Sequence, residues 1–154
     1  DLCIIGAGSA GLSVAAGAAQ LGRKAVLVEK GEMGGDCLNY GCVPSKALIA
    51  AAEHAASIRE ARTFGVGASE PEVDFAAVMD HVHSVIAAIA PHDSVERFEG
   101  FGVRVIRARA EFNGPRTVSA GDYVVEAKHF LIATGSSPAT PPIPGLAETP
   151  HFTN

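Results

Sequence analysis

Two cysteines five positions apart stand in the most chemically suggestive stretch of the 154-residue chain, Gly34-Gly35-Asp36-Cys37-Leu38-Asn39-Tyr40-Gly41-Cys42-Val43-Pro44-Ser45-Lys46. With glycine beside the second, the pair can come close enough for a small-ring disulfide, provided the chain folds back at the start of the helix that Pro44 opens. Cys42 then lies near that helix N-terminus, where the dipole stabilises a thiolate. Such a thiolate is a candidate electron relay, and Lys46, one turn on, adds a positive charge close to whatever it faces. Three other readings stand beside this one: a structural disulfide, two zinc ligands, or two reduced cysteines with no joint role. Nothing signals export, and no second Cys pair or close His pair completes a zinc site. The third cysteine, Cys3, lies mid-strand with apolar neighbours and reads as a small buried hydrophobe.

The second constellation is Gly6-Ala7-Gly8-Ser9-Ala10-Gly11, a G-x-G-x-x-G pattern between a short apolar run and a helix. The first glycine permits a tight turn, the second lets the backbone approach a pyrophosphate, and the third allows close helix–strand packing. Phosphates would then lie on the amides and dipole of the helix N-terminus. Glu29 closes the next strand, where a carboxylate can accept hydrogen bonds from a ribose diol. An acid there favours an unphosphorylated ribose, such as the adenosine half of FAD or NAD. The alternative is a tight turn of packing value alone.

The elements that must position these residues follow from periodicity. Leu2–Ile5 and Ala25–Val28 read as strands buried on both faces, with a helix from Ser9 to Leu21 between them, a βαβ unit of a parallel sheet. The segment from Gly31 to Gly41 carries four glycines and is expected to be irregular. An alanine-rich helix runs from Pro44 to about Thr63. Asp74 is placed to cap a further helix, whose Val78, Val82, Val85, Ile86 and Ile89 share a face until Pro91 ends it. From Val103 the period becomes two: Val103–Ile106, Ala108–Phe112, Thr117–Ser119 and Tyr123–Glu126 read as short strands with turns at Asn113-Gly114 and Gly121-Asp122. Phe130–Ala133 reads as a last buried strand. Five of nine prolines lie between Pro138 and Pro150, so residues 1–137 form the domain segment and 138–154 a connector.

Composition agrees with a packed domain of common size. The 17 glycines exceed a background of about 7% without a collagen period. A net charge of -5 gives no electrostatic reason to expect nucleic acid or an anionic membrane surface. Apolar stretches fall short of the roughly 20 residues needed to span a bilayer, so a soluble, cytoplasmic protein is expected. His81 and His83, two apart on a helix, cannot share a metal. Arg104, Arg107 and Arg109 read as a charged strand edge.

The cysteine stretch resembles the redox-active signature of the class I pyridine nucleotide-disulfide oxidoreductases, G-G-T-C-x-N-x-G-C-x-P-S-K, the family of dihydrolipoamide dehydrogenase, glutathione reductase and mercuric reductase. The resemblance covers the whole chain. It implies a Rossmann-like FAD-binding domain, a parallel sheet with flanking helices, and an antiparallel crossover meander between Val103 and Glu126. It implies that Gly6, Gly8, Ser9, Ala10, Gly11, Glu29 and Lys30 hold the ADP part of FAD, with Gly35 and Asp36 beside them. Cys37 would be the interchange thiol, Cys42 the flavin-facing thiol, and Lys46 the charge by the flavin ring, the three catalytic residues. Ala133, Thr134, Gly135 and Ser136 resemble a second FAD contact, and Ala110 falls where a backbone contact to adenine is usual.

Two departures stand out. Asp36 replaces a threonine whose hydroxyl touches the cofactor, and Tyr40 replaces a small aliphatic residue. Val43-Pro44-Ser45-Lys46 fits the mercuric reductase and lipoamide dehydrogenase patterns better than the glutathione reductase one. Gly65-Val66-Gly67 lacks a third glycine in register for an NAD(P)H fingerprint, and neither a later Gly-Asp flavin contact nor a C-terminal His-Glu pair occurs in these residues. The expected reading is the first FAD-binding segment of a homodimeric enzyme of cell redox homeostasis. It would pass electrons from NAD(P)H through flavin and the Cys37–Cys42 disulfide to a small-molecule disulfide or a metal ion. The alternative is an isolated FAD-binding fragment without catalytic activity.

Overall fold

Strands β1 (Leu2–Ile5) and β2 (Ala25–Glu29) lie parallel, Leu2 opposite Ala25 and Ile5 opposite Val28, with helix α1 (Ser9–Gln20) connecting them in the computed structural model, which describes residues 1–153. Strand β7 (His129–Ile132) joins the free edge of β1, and β3 (Arg104–Arg107) joins β2, giving a parallel sheet of order β3-β2-β1-β7. A separate antiparallel meander is made of β4 (Ala110–Gly114), β5 (Thr117–Ala120) and β6 (Tyr123–Glu126).

Side chains alternate across each strand, so the parallel sheet has two buried faces. On one, Ile4 and Leu27 pack with Leu12, Ala15 and Ala18 of α1 and with Phe98 of helix α5 (Val95–Gly100). On the other, Cys3, Val28 and Ile106 meet Ala120 and Val125 of the meander and Ala127. The small residues of α1 let it lie close to the sheet. Ile4 and Leu27 are fully buried, each worth about 1.5–3 kcal/mol relative to exposure.

The remaining α-helices among the described residues are α2 (Gly35–Asn39), α3 (Cys42–Glu60) and α4 (Phe75–Ile89), with α3 and α4 packed on one another. The Asp74 carboxylate caps α4 by accepting from the Ala77 N–H at 3.1 Å. Pro91 lies in the 3₁₀ turn Ala90–Asp93 that ends it. Of the apolar stripe on α4, Val82 is buried and Val78, Val85, Ile86 and Ile89 are half-buried. Beyond Gly135 the described residues hold no strand, and one 3₁₀ turn spans Leu146–Glu148.

The structure corrects four expectations. The glycine-rich segment before Cys42 contains α2, held by the Asn39 side chain, which donates to the carbonyls of Met33 (3.0 Å) and Gly35 (2.8 Å). Helix α3 starts at Cys42 rather than at Pro44, which occupies its first turn, where no intrahelical partner for an N–H exists. Strand β3 is not part of the meander. It pairs parallel with β2, Val26 opposite Arg104, because Val105 and Ile106 can bury on the two faces of the sheet. The first meander turn is Pro115-Arg116, since β4 continues through Gly114 with a register shift between Phe112 and Gly114. The turn at Gly121-Asp122 is where periodicity places it.

Candidate functional site

Gly6 ends β1 in a backbone conformation of φ +108° that side chains rarely adopt. Its N–H donates to the Val28 carbonyl at 2.8 Å, and a Cβ at this position would overlap the Ala133 carbonyl. The glycine turn is thus wedged between the ends of β2 and β7. Gly8 opens α1, and no side chain among the described residues caps that helix. The amides of its first turn, Ser9, Ala10 and Gly11, are those an α-helix leaves without intrahelical partners. A Cβ on Gly11 would overlap the Gly6 carbonyl, so helix and turn close on one another.

Glu29 ties the loops together. Its Oε2 accepts from the Ala7 N–H at 2.5 Å and its Oε1 from the Gly31 N–H at 2.6 Å. The acid thus sets the position of the glycine turn. From the far side, the Arg107 guanidinium donates to the Gly31 carbonyl at 2.5 Å.

Around these pieces lies a cleft of about 770 Å³ at the carboxyl ends of β1, β2 and β7. The strands following β1 lie on opposite sides of it, β2 on one and β7 on the other, so the cleft sits where the strand order reverses. Open parallel sheets take ligands in that crevice. Gly6, Gly8, Glu29, Lys30, Gly35, Asp36, Ala110, Ala133, Thr134, Gly135 and Ser136 line it. Ser9, Ala10, Gly11, Cys37, Cys42 and Lys46 lie outside that lining. Glu32, Tyr40 and Arg109 line it without having been singled out as ligand-facing. Arg109 reads from sequence as strand edge, yet it sits between β3 and β4 and turns the corner into the cleft. The signal that could have found it is its place directly before Ala110.

The cysteine stretch meets the glycine turn through backbone contacts. The Gly34 N–H donates to the Ala7 carbonyl at 2.9 Å, and Gly35, at φ +58°, stacks so closely that a Cβ there would lie 2.7 Å from the Gly8 Cα. This contact carries α2 and the half-buried Cys37 against the loop that would hold a pyrophosphate. Cys42, exposed, is the first residue of α3, after its N-cap Gly41. Both carry free thiols. The pKa of Cys37 is pushed up, first by its hydrogen bond with Cys42 and then by burial. Lys46 is exposed on α3, one turn beyond Cys42. Cys3, fully buried in β1, has its pKa raised by burial and takes no part.

A pyrophosphate-linked dinucleotide fits this donor set. Glycines bring backbone close, an uncapped helix end offers amides, a carboxylate stands at the end of β2, and the cleft opens along the strand ends. The charges lining it are Glu29, Glu32 and Asp36 against Lys30 and Arg109, so phosphate would rest on amides rather than cations. Asp36, beside the glycine turn, is an unfavourable neighbour for a phosphate. A methyl group built on Gly41 would sit 2.8 Å from its Oδ2, so that oxygen lies on the α3 side. No helix among the described residues is long and apolar enough to cross a membrane.

The sequence profile of the family described as "Pyridine nucleotide-disulphide oxidoreductase" matches residues 1–154. The chain is 39% identical over 160 residues to the mercuric reductase of Streptomyces lividans, covering 100% of this chain and 34% of that protein. It is 40% identical over 150 residues to the dihydrolipoyl dehydrogenase of Halobacterium salinarum, covering 92% of this chain and 31% of the relative. Among solved structures, the Cu(II) complex of the HOCl-induced flavoprotein disulfide reductase RclA from Escherichia coli superposes with a TM-score of 0.76 at 25% identity, over 97% of this chain and 31% of that one. The chain therefore spans about a third of the length of the relatives it matches.

Proposed function

The chain belongs to the pyridine nucleotide-disulphide oxidoreductases, and on that premise we propose that it is the FAD-binding, disulfide-bearing segment of an enzyme that draws two electrons from NAD(P)H and delivers them to a disulfide or a metal ion. The observation that carries this reading is the backbone contact of Gly35 on Gly8, which joins the cysteine pair to the glycine turn. Bound in the cleft, FAD would supply the acceptance of hydride from NAD(P)H and the two-electron reduction of Cys37–Cys42. Gly6, Gly8, Ser9, Ala10, Gly11, Glu29 and Lys30 would hold its ADP half, with Ala110 at the adenine and Ala133, Thr134, Gly135 and Ser136 along the β7 end. Lys46 would sit beside the flavin ring.

The cysteines do the rest. In the oxidised enzyme they form a disulfide; two electrons and two protons convert it to two thiols. Cys37 then attacks the substrate disulfide, one substrate thiol leaves, and Cys42 displaces the second, restoring the Cys37–Cys42 bond. With a divalent metal ion as substrate, the two cysteines would bind it as thiolates, releasing two protons, and would return to the disulfide as two electrons pass from them to the ion. The kinship with mercuric reductases and dihydrolipoyl dehydrogenases supports both substrate classes. We place the whole enzyme in the cytoplasm as a homodimer.

Reduction of the full-length holoprotein should bring up a long-wavelength absorbance from thiolate contact with the flavin, lost in Cys42→Ser and kept in Cys37→Ser. A band unchanged by Cys42→Ser rules out Cys42 as the flavin-facing thiol. The second reading, favoured by the third of the relatives' length that the chain spans, is that the 154-residue chain alone binds FAD without turnover. NADPH oxidation at background by this chain, beside an active full-length protein, supports it.

A further inference from the structure

We propose that Asp36 is a positioning residue that sets the reduction potential of the Cys37–Cys42 couple by holding its carboxylate against the N-terminal end of α3, where Cys42 must carry negative charge. The proposal rests on the reading above that the two cysteines are a redox couple. Its geometry is local. The Asp36 carbonyl accepts from the N–H groups of Tyr40 (2.9 Å) and Gly41 (2.7 Å), which curls the link between α2 and α3 back over Asp36. A methyl group on Gly41 would meet Oδ2 at 2.8 Å and Cγ at 3.6 Å. The side chain therefore leans on the N-cap residue of α3. That helix is 19 residues long, its N-cap makes no side-chain cap bond, and Cys42 is its first residue.

A helix N-terminus stabilises one negative charge well, whether a carboxylate or a thiolate. With Asp36 already there, a Cys42 thiolate shares the field and meets a like charge. The reduced pair is raised in energy while the uncharged disulfide is not. A couple whose reduced form is destabilised has a lower potential, the reverse of oxidants whose reduced form is stabilised. Asp36 also acts on Cys37 in the same direction, disfavouring its charged form. Tyr40 lies on the α2–α3 link and Lys46 on α3; Lys30 and Glu32 share the cleft lining with Asp36; and on α4, which packs against both helices, Asp80, His81 and His83 are exposed. None of them changes in the test.

The equilibrium measured is oxidised protein plus reduced dithiothreitol giving the reduced pair, with Cys37 as thiol and Cys42 as thiolate, plus oxidised dithiothreitol; two electrons and one proton pass to the protein and the second proton is released to solvent. Full-length protein is equilibrated in such buffers at neutral pH without NAD(P)H, and the state of Cys37 and Cys42 is read by differential alkylation and mass spectrometry. Asp36→Asn should raise the constant for reduction about three- to tenfold, tenfold being about 30 mV for a two-electron couple, while Asp36→Glu stays near the parent. Asp36→Ser serves the same arm should Asp36→Asn not fold. In the unsubstituted protein, raising salt from about 0.05 to about 0.5 M screens the exposed carboxylate and should shift the constant the same way. A constant indifferent to salt, or unmoved by Asp36→Asn, overturns the role of Asp36 alone. Failure of Cys37 and Cys42 to form a disulfide in oxidising buffer overturns the couple, and this inference with it.

Discussion

Two glycines of the same chain should respond to a methyl group with opposite signs. Gly35 sits at φ +58° with the Gly8 backbone 2.7 Å from where its Cβ would be, and a non-glycine residue held in that conformation costs about 1–3 kcal/mol before any clash. Gly35 and Gly8 cannot move apart without carrying α2 or the glycine turn with them. Gly17, inside α1, has nothing within 4 Å of an added Cβ; alanine there should stabilise by about 0.5–1 kcal/mol, the usual gain in a helix interior. Urea unfolding of the full-length protein checks both, and Gly35→Ala should also lower FAD affinity. A Gly35→Ala protein as stable as Gly17→Ala would sink the claim that the cysteine stretch is docked through that contact. The residue types of this site were plain in the sequence. Their contacts were not, because a backbone stacked on a backbone leaves no mark beyond two glycines 27 positions apart.

Elements show where local pattern suffices and where it fails. Asp74 was readable as a cap since an acid before an apolar helical stripe satisfies an orphan amide, and it does so at Ala77. Asp74→Ala should cost about 1 kcal/mol, as lost N-caps do, with Asp74→Ser recovering most of it and FAD binding unaltered. Thermal unfolding and flavin titration distinguish these, and a loss of FAD affinity equal to that of Gly35→Ala would show that α4 supports the cleft directly. Strand β3 shows the limit. Val103 to Ile106 alternates as the meander strands do, and period two does not say which sheet a strand joins. The choice is made by burial on two faces, Val105 toward α1 and Ile106 toward the meander. Helix α2 was hidden for a related reason. Gly34, Gly35 and Gly41 lower its local propensity, and it forms because buried Leu38 anchors it and Asn39 closes its turn.

At the scale of the molecule, the cleft is assembled from pieces far apart in sequence: the end of β1, the end of β2, the corner at Ala108–Ala110, and the segment Ala133–Pro138 after β7. Glycine spacing and a strand-end acid made the first two legible. Arg109, Glu32 and Tyr40 escaped because their role comes from which strand ends lie together, which is a property of sheet order. A ligand gripping all four pieces ties distant parts of the chain together and so must oppose unfolding. Binding to the folded state alone adds about 2.7 kcal/mol at a hundred times the dissociation constant. FAD added to full-length apoprotein should therefore raise the unfolding midpoint in a concentration-dependent way, and should slow amide exchange at the glycine turn and at 133–138 together. Glu29→Ala separates the two jobs of that acid. It removes the acceptor of the Ala7 and Gly31 amides, costing about 1–3 kcal/mol without any ligand, and it should also shrink the FAD-induced shift. A Glu29→Ala apoprotein that is weakened but gains as much from FAD as the parent would leave the carboxylate a tether of the glycine turn and nothing more.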